Sequence, residues 1–364
     1  MRILVMANIG LGLFKFRQEL LKELAIENEV YFCIPRDEFV EGIQRLGCQY
    51  IPCESLDRRS TNPIKDLQLF REYRTILREN HPDVVLTYTI KPNVYGGLAC
   101  RRQKIPYLVN VTGLGTTLEN GGILAQISKS LYRIGIKDAA CVFFQNKENQ
   151  QQFIDQRIAV GKTRLIPGSG VNVNAHQYEP YPSENKGFHF LFVGRIMKDK
   201  GIEELLSAIK EIREERKDVV LDVVGFCDED YSFQLSDAEA RGDIIYHGMQ
   251  RDVHPYYTSC HCAVLPSYHE GMANVMLEAS STGRPVITTT VPGCKETFDE
   301  GVTGFGCDAK NKESLKEAMI RILSLSHIQR EKMGKEARKK MTKEFDRNIV
   351  IQSYKEELSL ITES

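Results

Sequence analysis

Two glutamates in the stretch SYHEGMANVMLEASSTGRPV (residues 267–286) are spaced so that both could serve one ligand. Glu270 falls in a turn behind the apolar run CAVLPS, and Glu278 falls about two turns into a helix that the pattern predicts over 272–281. Asn274 shares the helix face of Glu278. The free amide groups at the start of such a helix attract an anion. Taken singly, Glu278 is also consistent with a surface carboxylate, and Glu270 with a residue near a helix cap.

Two cations occupy a comparable position in LFVGRIMKDKGIEELLSAI (191–209). A buried strand delivers Gly194 and Arg195 to its carboxyl end, and Lys200 lies just ahead of a helix that begins near Ile202. An arginine grips a diphosphate as a fork, and a lysine binds it as a point charge. Two solvated surface charges are the alternative interpretation of this pair.

Glycines follow the first predicted strand in NIGLGLFKFR (8–17). Gly10 and Gly12 let the backbone approach a phosphate closely at a helix start. A dinucleotide-binding fingerprint would require a third small residue at the position of Lys15 and an acid at the end of the second strand, which here ends in CIP. The sequence therefore disfavours a nicotinamide or flavin enzyme and is consistent with a phosphate-facing loop.

Metal-ligand patterns are weak in this sequence. The ten cysteines are scattered and form no C-x-x-C pair, which is typical of reduced core thiols in a cytosolic protein. In CDEDY (227–231), Asp228 and Asp230 imitate an acid-x-acid metal site, but no partner acid or histidine stands at a suitable spacing. We interpret this segment as a solvated loop and expect neither a metal nor another cofactor.

Alternating strands and helices must position these residues. Short apolar, β-branched runs separated by amphipathic stretches imply parallel sheets that are covered on both faces. The predicted strands span residues 2–8, 29–35, 48–52, 83–89, 106–112 and 141–146 in the first half and 188–195, 219–225, 244–248, 262–267 and 285–290 in the second. The predicted helices of the first half span residues 16–27, 63–80 and 123–139.

A polar, proline-bearing stretch, HQYEPYPSENKG (176–187), interrupts this alternation and predicts an interdomain linker. We expect one doubly wound domain over residues 1–178 and a second over 187–346, facing each other across a cleft. The last helix, about 347–364, has no strand left to cover and should pack back on the first domain. Ligands of such sheets bind at the carboxyl ends of the strands.

The formal net charge of −1 hides an asymmetry along the chain. Residues 1–180 carry 23 Lys and Arg against 18 Asp and Glu, so this part is basic and the remainder is acidic. A basic half suits phosphates or a membrane surface, although ordinary scatter in surface charge is an alternative. The apolar start of the chain is broken by Asn8, Gly10 and Gly12, which predicts a buried strand rather than a signal peptide.

Four segments of the second half resemble, in order and spacing, the retaining glycosyltransferases of family 4. They are VGRIMKDKG, LPSYHEGMANVMLEASSTGRPVITT, VPGCKETF and GVTGF. The resemblance covers most of residues 188–310 and extends more loosely over the first half. It implies the GT-B fold, with two Rossmann-like doubly wound domains, and transfer of a sugar from a nucleotide-sugar donor without a metal.

The resemblance also implies roles for single residues. Arg195 and Lys200 would bind the donor diphosphate and neutralise charge on the leaving nucleotide. Glu270 would hold hydroxyls of the donor sugar, and Glu278 would accept hydrogen bonds from the ribose. The implied donor site further includes the backbone at Gly12, Gly194, Gly271, Met272, Ala273, Asn274 and Val275.

In the first half, the segment 87–115 resembles a subset of this family. Its members build capsular, O-antigen-like or protein-linked glycans on a polyprenyl diphosphate carrier, and they include N-acetylgalactosaminyltransferases. The resemblance places the acceptor near Lys15, Lys91, Asn93 and Thr112. Because many members of the wider family carry a histidine where this chain has Thr112, we expect the donor's own phosphate, on the face of attack, to remove the proton.

A basic helix in the first half, ILAQISKSLYRIGIKDA (123–139), carries cations at four-residue spacing. Lys129, Arg133 and Lys137 share one helix face and could contact anionic lipid headgroups. An ordinary solvated face is the alternative interpretation.

Together these observations favour a retaining, metal-independent hexosyltransferase. It would move an N-acetylhexosamine or hexose from a UDP-sugar to a lipid-linked saccharide, as a peripheral protein on the cytoplasmic face of a bacterial membrane, with no nucleic acid as partner. Two alternatives are a sugar-nucleotide epimerase of the same fold and a non-catalytic nucleotide-sugar-binding protein. The joint presence of both glutamates and both cations favours the transferase.

Overall fold

The computed structural model describes residues 1–58, 60–113, 122–185 and 187–363, apart from the side chains of residues 123 and 124. It divides the chain into two compact units. The first comprises Met1–Ser169 with Arg347–Ser364, and the second comprises Gly170–Asp346. The last two positions of the resembling segment 87–115 lie outside the described residues.

The first unit is built on a parallel sheet with the strand order β3-β2-β1-β4-β5-β6-β7. Its strands are β1 Arg2–Met6, β2 Glu29–Ile34, β3 Gln49–Pro52, β4 Val84–Tyr88, β5 Tyr107–Val111, β6 Cys141–Phe144 and β7 Thr163–Leu165. Its helices up to this point in the chain are α1 Gly10–Glu27, α2 Val40–Gln44, α3 Pro63–Asn80, α4 Gly97–Gln103, α5 Gly122–Ile136 and α6 Lys147–Asp155. The order reverses direction between β1 and β4, as in doubly wound sheets.

Helix α1 begins earlier than the sequence predicts, so the glycine segment is not a loop. Gly10 is the first helical residue, and its amide donates to Asp37 Oδ2 at 2.6 Å. This carboxylate satisfies an orphan amide of the first turn, which helps the helix to start there. Gly12 therefore lies inside α1, and Lys15 is an exposed residue of the same helix.

The second unit repeats the architecture with the strand order β10-β9-β8-β11-β12-β13. Its strands are β8 Phe188–Val193, β9 Val219–Val224, β10 Ile244–Tyr246, β11 Cys262–Leu265, β12 Val286–Thr289 and β13 Gly304–Cys307. Its helices are α7 Ile202–Glu215, α8 Ser232–Ala240, α9 His254–Ser259, α10 Asn274–Ser281, α11 Lys312–Ser324 and α12 His327–Glu344. Here the order reverses between β8 and β11.

The segment 176–187, predicted as a linker, belongs to the second unit. The reason is Arg284, whose guanidinium is fully buried and donates to the carbonyls of Glu179 and Pro180, both at 3.0 Å. Tyr181 adds a hydrogen bond from its hydroxyl to His261 O at 2.9 Å. These contacts bind the segment to the body of the unit, which its polar composition did not indicate.

The last helix, α13 Arg347–Thr362, returns to the first unit as predicted. Val350, Tyr354 and Leu358 are buried in the core formed by α1 and one face of the sheet. Their spacing of four residues places them on one face of the helix. In the described part of the chain, no helix combines the length and the apolar character needed to cross a membrane.

A buried carboxylate on α13 forms ion pairs with two cations at the start of β7. Glu357, whose side chain is 4% exposed, accepts from Lys162 Nζ at 2.6 Å and from Arg164 Nη1 at 3.2 Å. The adjacent Glu356 contacts the same arginine but is 47% exposed. Because water screens exposed pairs, Glu357 should contribute more to stability than Glu356 does.

We expect Glu357→Gln to lower the free energy of unfolding by about 1–3 kcal/mol, because two cations lose their buried carboxylate. Urea denaturation monitored by circular dichroism measures the change. The matched control Glu356→Gln should change it by less than about 0.5 kcal/mol. Equal effects of the two substitutions would contradict a special role for the buried acid.

Candidate active site

The carboxyl ends of β8 and β11 bring the predicted Gly194, Arg195 and Glu270 to one edge of the second sheet. The two strands are parallel neighbours, with Phe190 opposite Cys262 and Leu191 opposite Ala263. Gly194 and Arg195 directly follow β8, and the loop with Glu270 follows β11. Since the strand order reverses between these two strands, their loops border the crevice where ligands of doubly wound sheets bind.

Lys200 and Glu270 form an ion pair in this crevice. The lysine Nζ donates to Glu270 Oε1, and both side chains are largely buried, at 17% and 15% exposed. The sequence predicted that each residue lies at the site but not that the two are in contact. The pair holds one cation and one acid side by side at low exposure, where electrostatic interactions are stronger than in water.

The turn that carries Lys200 is bound to the loop that carries Glu270. The Tyr268 amide donates to Asp199 O at 2.9 Å, and Ser267 Oγ donates to the same carbonyl at 3.2 Å. Gly201 ends the turn at φ +71°, and a Cβ there would lie 2.2 Å from Pro266 O. Only glycine accommodates both the left-handed backbone and this close approach.

Arg195 is held by an acid that the sequence analysis had placed in a solvated loop. Its Nη1 donates to Asp228 Oδ2 at 2.7 Å, and the Asp228 side chain is 15% exposed. The interpretation of CDEDY as a solvated loop is therefore wrong for Asp228. Asp230 instead accepts from the amide and the hydroxyl of Ser232, which lower its pKa. The described residues contain no group of three or more His, Cys, Asp or Glu that could hold a metal ion.

Glu278 lies on α10 and is oriented by a tyrosine that sequence reasoning missed. Tyr257, from α9, is fully buried and donates its hydroxyl to Glu278 Oε2 at 2.8 Å. Burial raises the pKa of Tyr257 well above its usual value, and the Glu278 charge adds to this shift. The phenol therefore stays protonated and remains a donor. A tyrosine 21 residues away along the chain leaves no local signal in the sequence.

The backbone from Gly271 to Val275 differs from the predicted helix start. Helix α10 begins at Asn274 rather than near Met272. The Ala273 amide donates to Gly293 O at 2.7 Å and the Asn274 amide to Met272 O at 2.9 Å, so neither is free in this structure. Met272 is buried in a small apolar cluster, whereas Asn274 and Val275 are half-buried. No described residue forms a hydrogen bond with Asn274 Oδ1.

The residues predicted on the acceptor side belong to the first unit. Lys91 Nζ donates to Asp66 Oδ1 at 2.7 Å, and its side chain is 12% exposed. Asn93 is fully buried and donates to Asn110 O at 2.9 Å, while its Oδ1 has no hydrogen-bond partner among the described residues. Thr112, just beyond β5, is half-buried.

The basic helix α5 presents fewer free cations than its spacing suggests. Arg133 Nε and Nη2 donate to the carbonyls of Arg157 and Gln156, at 3.0 and 2.9 Å. Lys129 is half-buried, and Lys137 lies just beyond the helix end and is exposed. The guanidinium of Arg133 thus supports the end of α6, and it is not a simple solvated charge.

The arrangement at the edge of the second sheet suits a ligand with separate anionic and hydroxyl-bearing parts. Arg195 and Lys200 supply positive charge, and each leaves further N–H donors beyond those used by its carboxylate partner. Glu270 and Glu278 supply acceptors for hydroxyl groups. The pairing of each cation with an acid keeps the site from being repulsively charged before a ligand arrives.

Two family models match the chain, one over each unit. The family model described as Glycosyl transferases group 1 matches residues 176–340, and the one described as Glycosyl transferase 4-like matches residues 4–146. Among solved structures, Anabaena HepE in complex with UDP and glucose has a TM-score of 0.81 at 18% identity over 99% of each chain. That likeness confirms the GT-B arrangement of two Rossmann-like domains that the sequence predicts.

Curated relatives span most of the chain. It is 27% identical to the N,N'-diacetylbacillosaminyl-diphospho-undecaprenol alpha-1,3-N-acetylgalactosaminyltransferase of Campylobacter jejuni, over 97% of each chain. It is 25% identical to the UDP-Gal:alpha-D-GlcNAc-diphosphoundecaprenol alpha-1,3-galactosyltransferase of Escherichia coli, over 72% of each chain. Since both units match glycosyltransferase models and these relatives are transferases, the protein belongs to the glycosyltransferases, with a glycosyl transferase 4-like first unit and a group 1 second unit.

Proposed function

We propose that this glycosyltransferase moves an N-acetylhexosamine or hexose from a UDP-sugar to a polyprenyl-diphosphate-linked saccharide in bacterial surface glycan synthesis. The observation that carries the proposal is the Lys200–Glu270 pair at the switch point of the second sheet. Its cation suits the donor diphosphate, and its carboxylate suits the sugar attached to that diphosphate. The names of the relatives from Campylobacter and Escherichia support the class of acceptor.

In this proposal, Arg195 and Lys200 bind the donor diphosphate. As the bond from sugar to phosphate breaks, negative charge grows on the leaving nucleotide, and the two prepositioned cations stabilise that charge. Asp228 keeps the Arg195 guanidinium in place and leaves its remaining N–H groups for the ligand. The two cations stabilise this charge more in the transition state than in the ground state, so they raise kcat.

Glu270 holds hydroxyls of the donor sugar, and Glu278 accepts hydrogen bonds from the ribose. Lys200 occupies Glu270 Oε1 and Tyr257 occupies Glu278 Oε2, which leaves the second oxygen of each carboxylate for the donor. Neither glutamate has to act as a base. We propose that the donor phosphate takes the proton of the attacking hydroxyl on the face of attack, which retains the anomeric configuration.

The first unit is proposed to bind the acceptor near Lys15, Lys91 and Thr112, with the enzyme peripheral on the cytoplasmic face of the membrane. On α5, Ile127 and Ile134 are 49% and 46% exposed and lie seven residues apart, on one face of the helix. Exposed apolar residues beside basic ones are typical of helices that rest in a membrane interface. This supports contact with anionic lipid while the acceptor's lipid tail stays in the bilayer.

Transfer is tested by incubating the protein with labelled UDP-sugars, with and without undecaprenyl-diphosphate N-acetylglucosamine. We expect label in the lipid fraction only when the acceptor is present, joined through an α linkage. Lys200→Ala should abolish transfer, whereas Lys198→Ala, an exposed lysine of the same turn, should preserve it. Isomerised donor without acceptor would indicate an epimerase, and donor binding without turnover would indicate a binding protein.

Transfer should also be independent of divalent metal, because Arg195 and Lys200 supply the positive charge at the diphosphate. We expect the rate to be unchanged after treatment with excess EDTA. A loss of rate that magnesium restores would contradict this expectation and would indicate a metal site at Asp228 and Asp230.

Tyr257→Phe should weaken donor binding roughly threefold to tenfold, because Glu278 loses the hydrogen bond that orients it. The Michaelis constant for the donor should rise while kcat changes little. Tyr231→Phe is the matched control, since Tyr231 makes an equal 2.8 Å hydrogen bond to Glu203, on α7. With a 2'-deoxyribose donor, Tyr257→Phe should cause no further loss of donor binding. If the substitution weakens binding of this donor as much as it weakens binding of the normal donor, Tyr257 serves only the fold.

A further inference from the structure

Arg17 is a buried cation of the first unit without an acidic partner. It lies on α1 and is 4% exposed, yet no carboxylate among the described residues forms an ion pair with it. Its Nη1 donates to the neighbouring Phe16 O at 3.1 Å, and its buried Nε has no hydrogen-bond partner in the part of the chain that the structure describes. The guanidinium also lies over the Tyr88 ring, with Cζ 5.2 Å from the centroid. One carbonyl and one ring face only partly replace the water that such a charge gives up.

The cost of this burial distinguishes Arg17 from the other buried arginines of the chain. Arg284 is fully buried but donates to several carbonyls, whereas Arg330 is paired with Glu184 and Arg347 with Glu19. A buried guanidinium with unused donors is costly unless an anion completes its hydrogen bonds. Groups of the protein do not complete the hydrogen bonds of the Arg17 guanidinium. Arg17 therefore has the properties of a residue that binds an oxyanion of a ligand.

The position of Arg17 agrees with a ligand site. The guanidinium lies over Tyr88 of β4, and β4 ends at the same edge of the sheet as its parallel neighbour β1. Tyr88 is the last residue of β4, the strand on the other side of the reversal in strand order. Arg17 thus lies at the switch point of the first sheet, where doubly wound sheets bind ligands.

Further polar and strained groups lie at the same edge. Asn8 Oδ1 has no hydrogen-bond partner among the described residues, and the buried Tyr88 hydroxyl lies beside Arg17 and Tyr354. Thr89, directly after β4, has φ +71°, a strained value for a β-branched residue and one that concentrates at binding sites. The amide of Gly10 is already taken by Asp37. Arg17 is the buried cation of α1, whereas Lys15 and Lys22 are exposed.

We propose that Arg17 binds a phosphoryl oxygen of the lipid-diphosphate acceptor, an inference that rests on the proposed function. A guanidinium matches the paired oxygens of a phosphate through two parallel hydrogen bonds. Ile90, next to Thr89, is 40% exposed and offers an apolar contact for the first isoprene unit. Arg17 is then the residue that recognises the carrier by its phosphate, separately from the sugar.

Binding of geranyl diphosphate, measured by calorimetry with saturating UDP present, tests the proposal. UDP occupies the donor diphosphate site, so the remaining binding reports on the second anion site. We expect the wild-type protein to bind geranyl diphosphate but not geraniol. Arg17→Gln should weaken binding roughly tenfold to hundredfold, as expected for lost charged hydrogen bonds. Lys22→Gln, an equal charge change at an exposed position of α1, should leave it unchanged.

Arg17→Lys keeps the charge but loses the fork, so its affinity should fall between those of wild type and Arg17→Gln. If Arg17→Gln lowers the melting temperature so far that it is unfolded, the lysine variant decides. Wild-type affinity in Arg17→Lys, or no binding of geranyl diphosphate by the wild type with UDP present, would overturn the proposal. The transfer assay on the wild type reports on the proposed function independently, since it requires no substitution at Arg17.

Discussion

The ion pair between Lys200 and Glu270 is the contact on which the candidate site of the second unit depends. It joins residues 70 positions apart in the chain, from loops that follow neighbouring strands. The backbone bond from Tyr268 to Asp199 and the close approach at Gly201 fix the same two loops. Charged groups that are held before a ligand arrives need no reorganisation when charge develops, and this is how such a site stabilises a transition state.

Elements with strong local signals were predicted well. Helix α3 has the predicted bounds because Asn62 caps it, accepting from the Ile64 amide at 2.9 Å, and Pro63 occupies its first position. The buried strands at the centre of both sheets were found from their apolar runs. The first-turn position of Gly10 was missed, since the acid that satisfies its amide is 27 residues away.

The remaining differences have a common cause, which is that long-range contacts leave no local pattern. A Cβ at Gly304 in strand β13 would lie 2.1 Å from Val286 O, so this position requires glycine. Because glycine is uncommon inside strands, the sequence pattern did not predict β13. The start of α10 shifts because Gly293 O takes the Ala273 amide. Charged and polar residues were assigned to the site by type, but their partners Asp228 and Tyr257 became evident only from the fold.

The return of α13 to the first unit makes the second unit an insertion within the first. Residues 1–169 lack one of the helices that cover one face of their sheet until the chain has passed through all of Gly170–Asp346. During synthesis, the second unit therefore has its complete sequence before the first unit does. The unit that comes first in the sequence is the last to complete its core, and the apolar face awaiting Val350, Tyr354 and Leu358 stays open to chaperones until then.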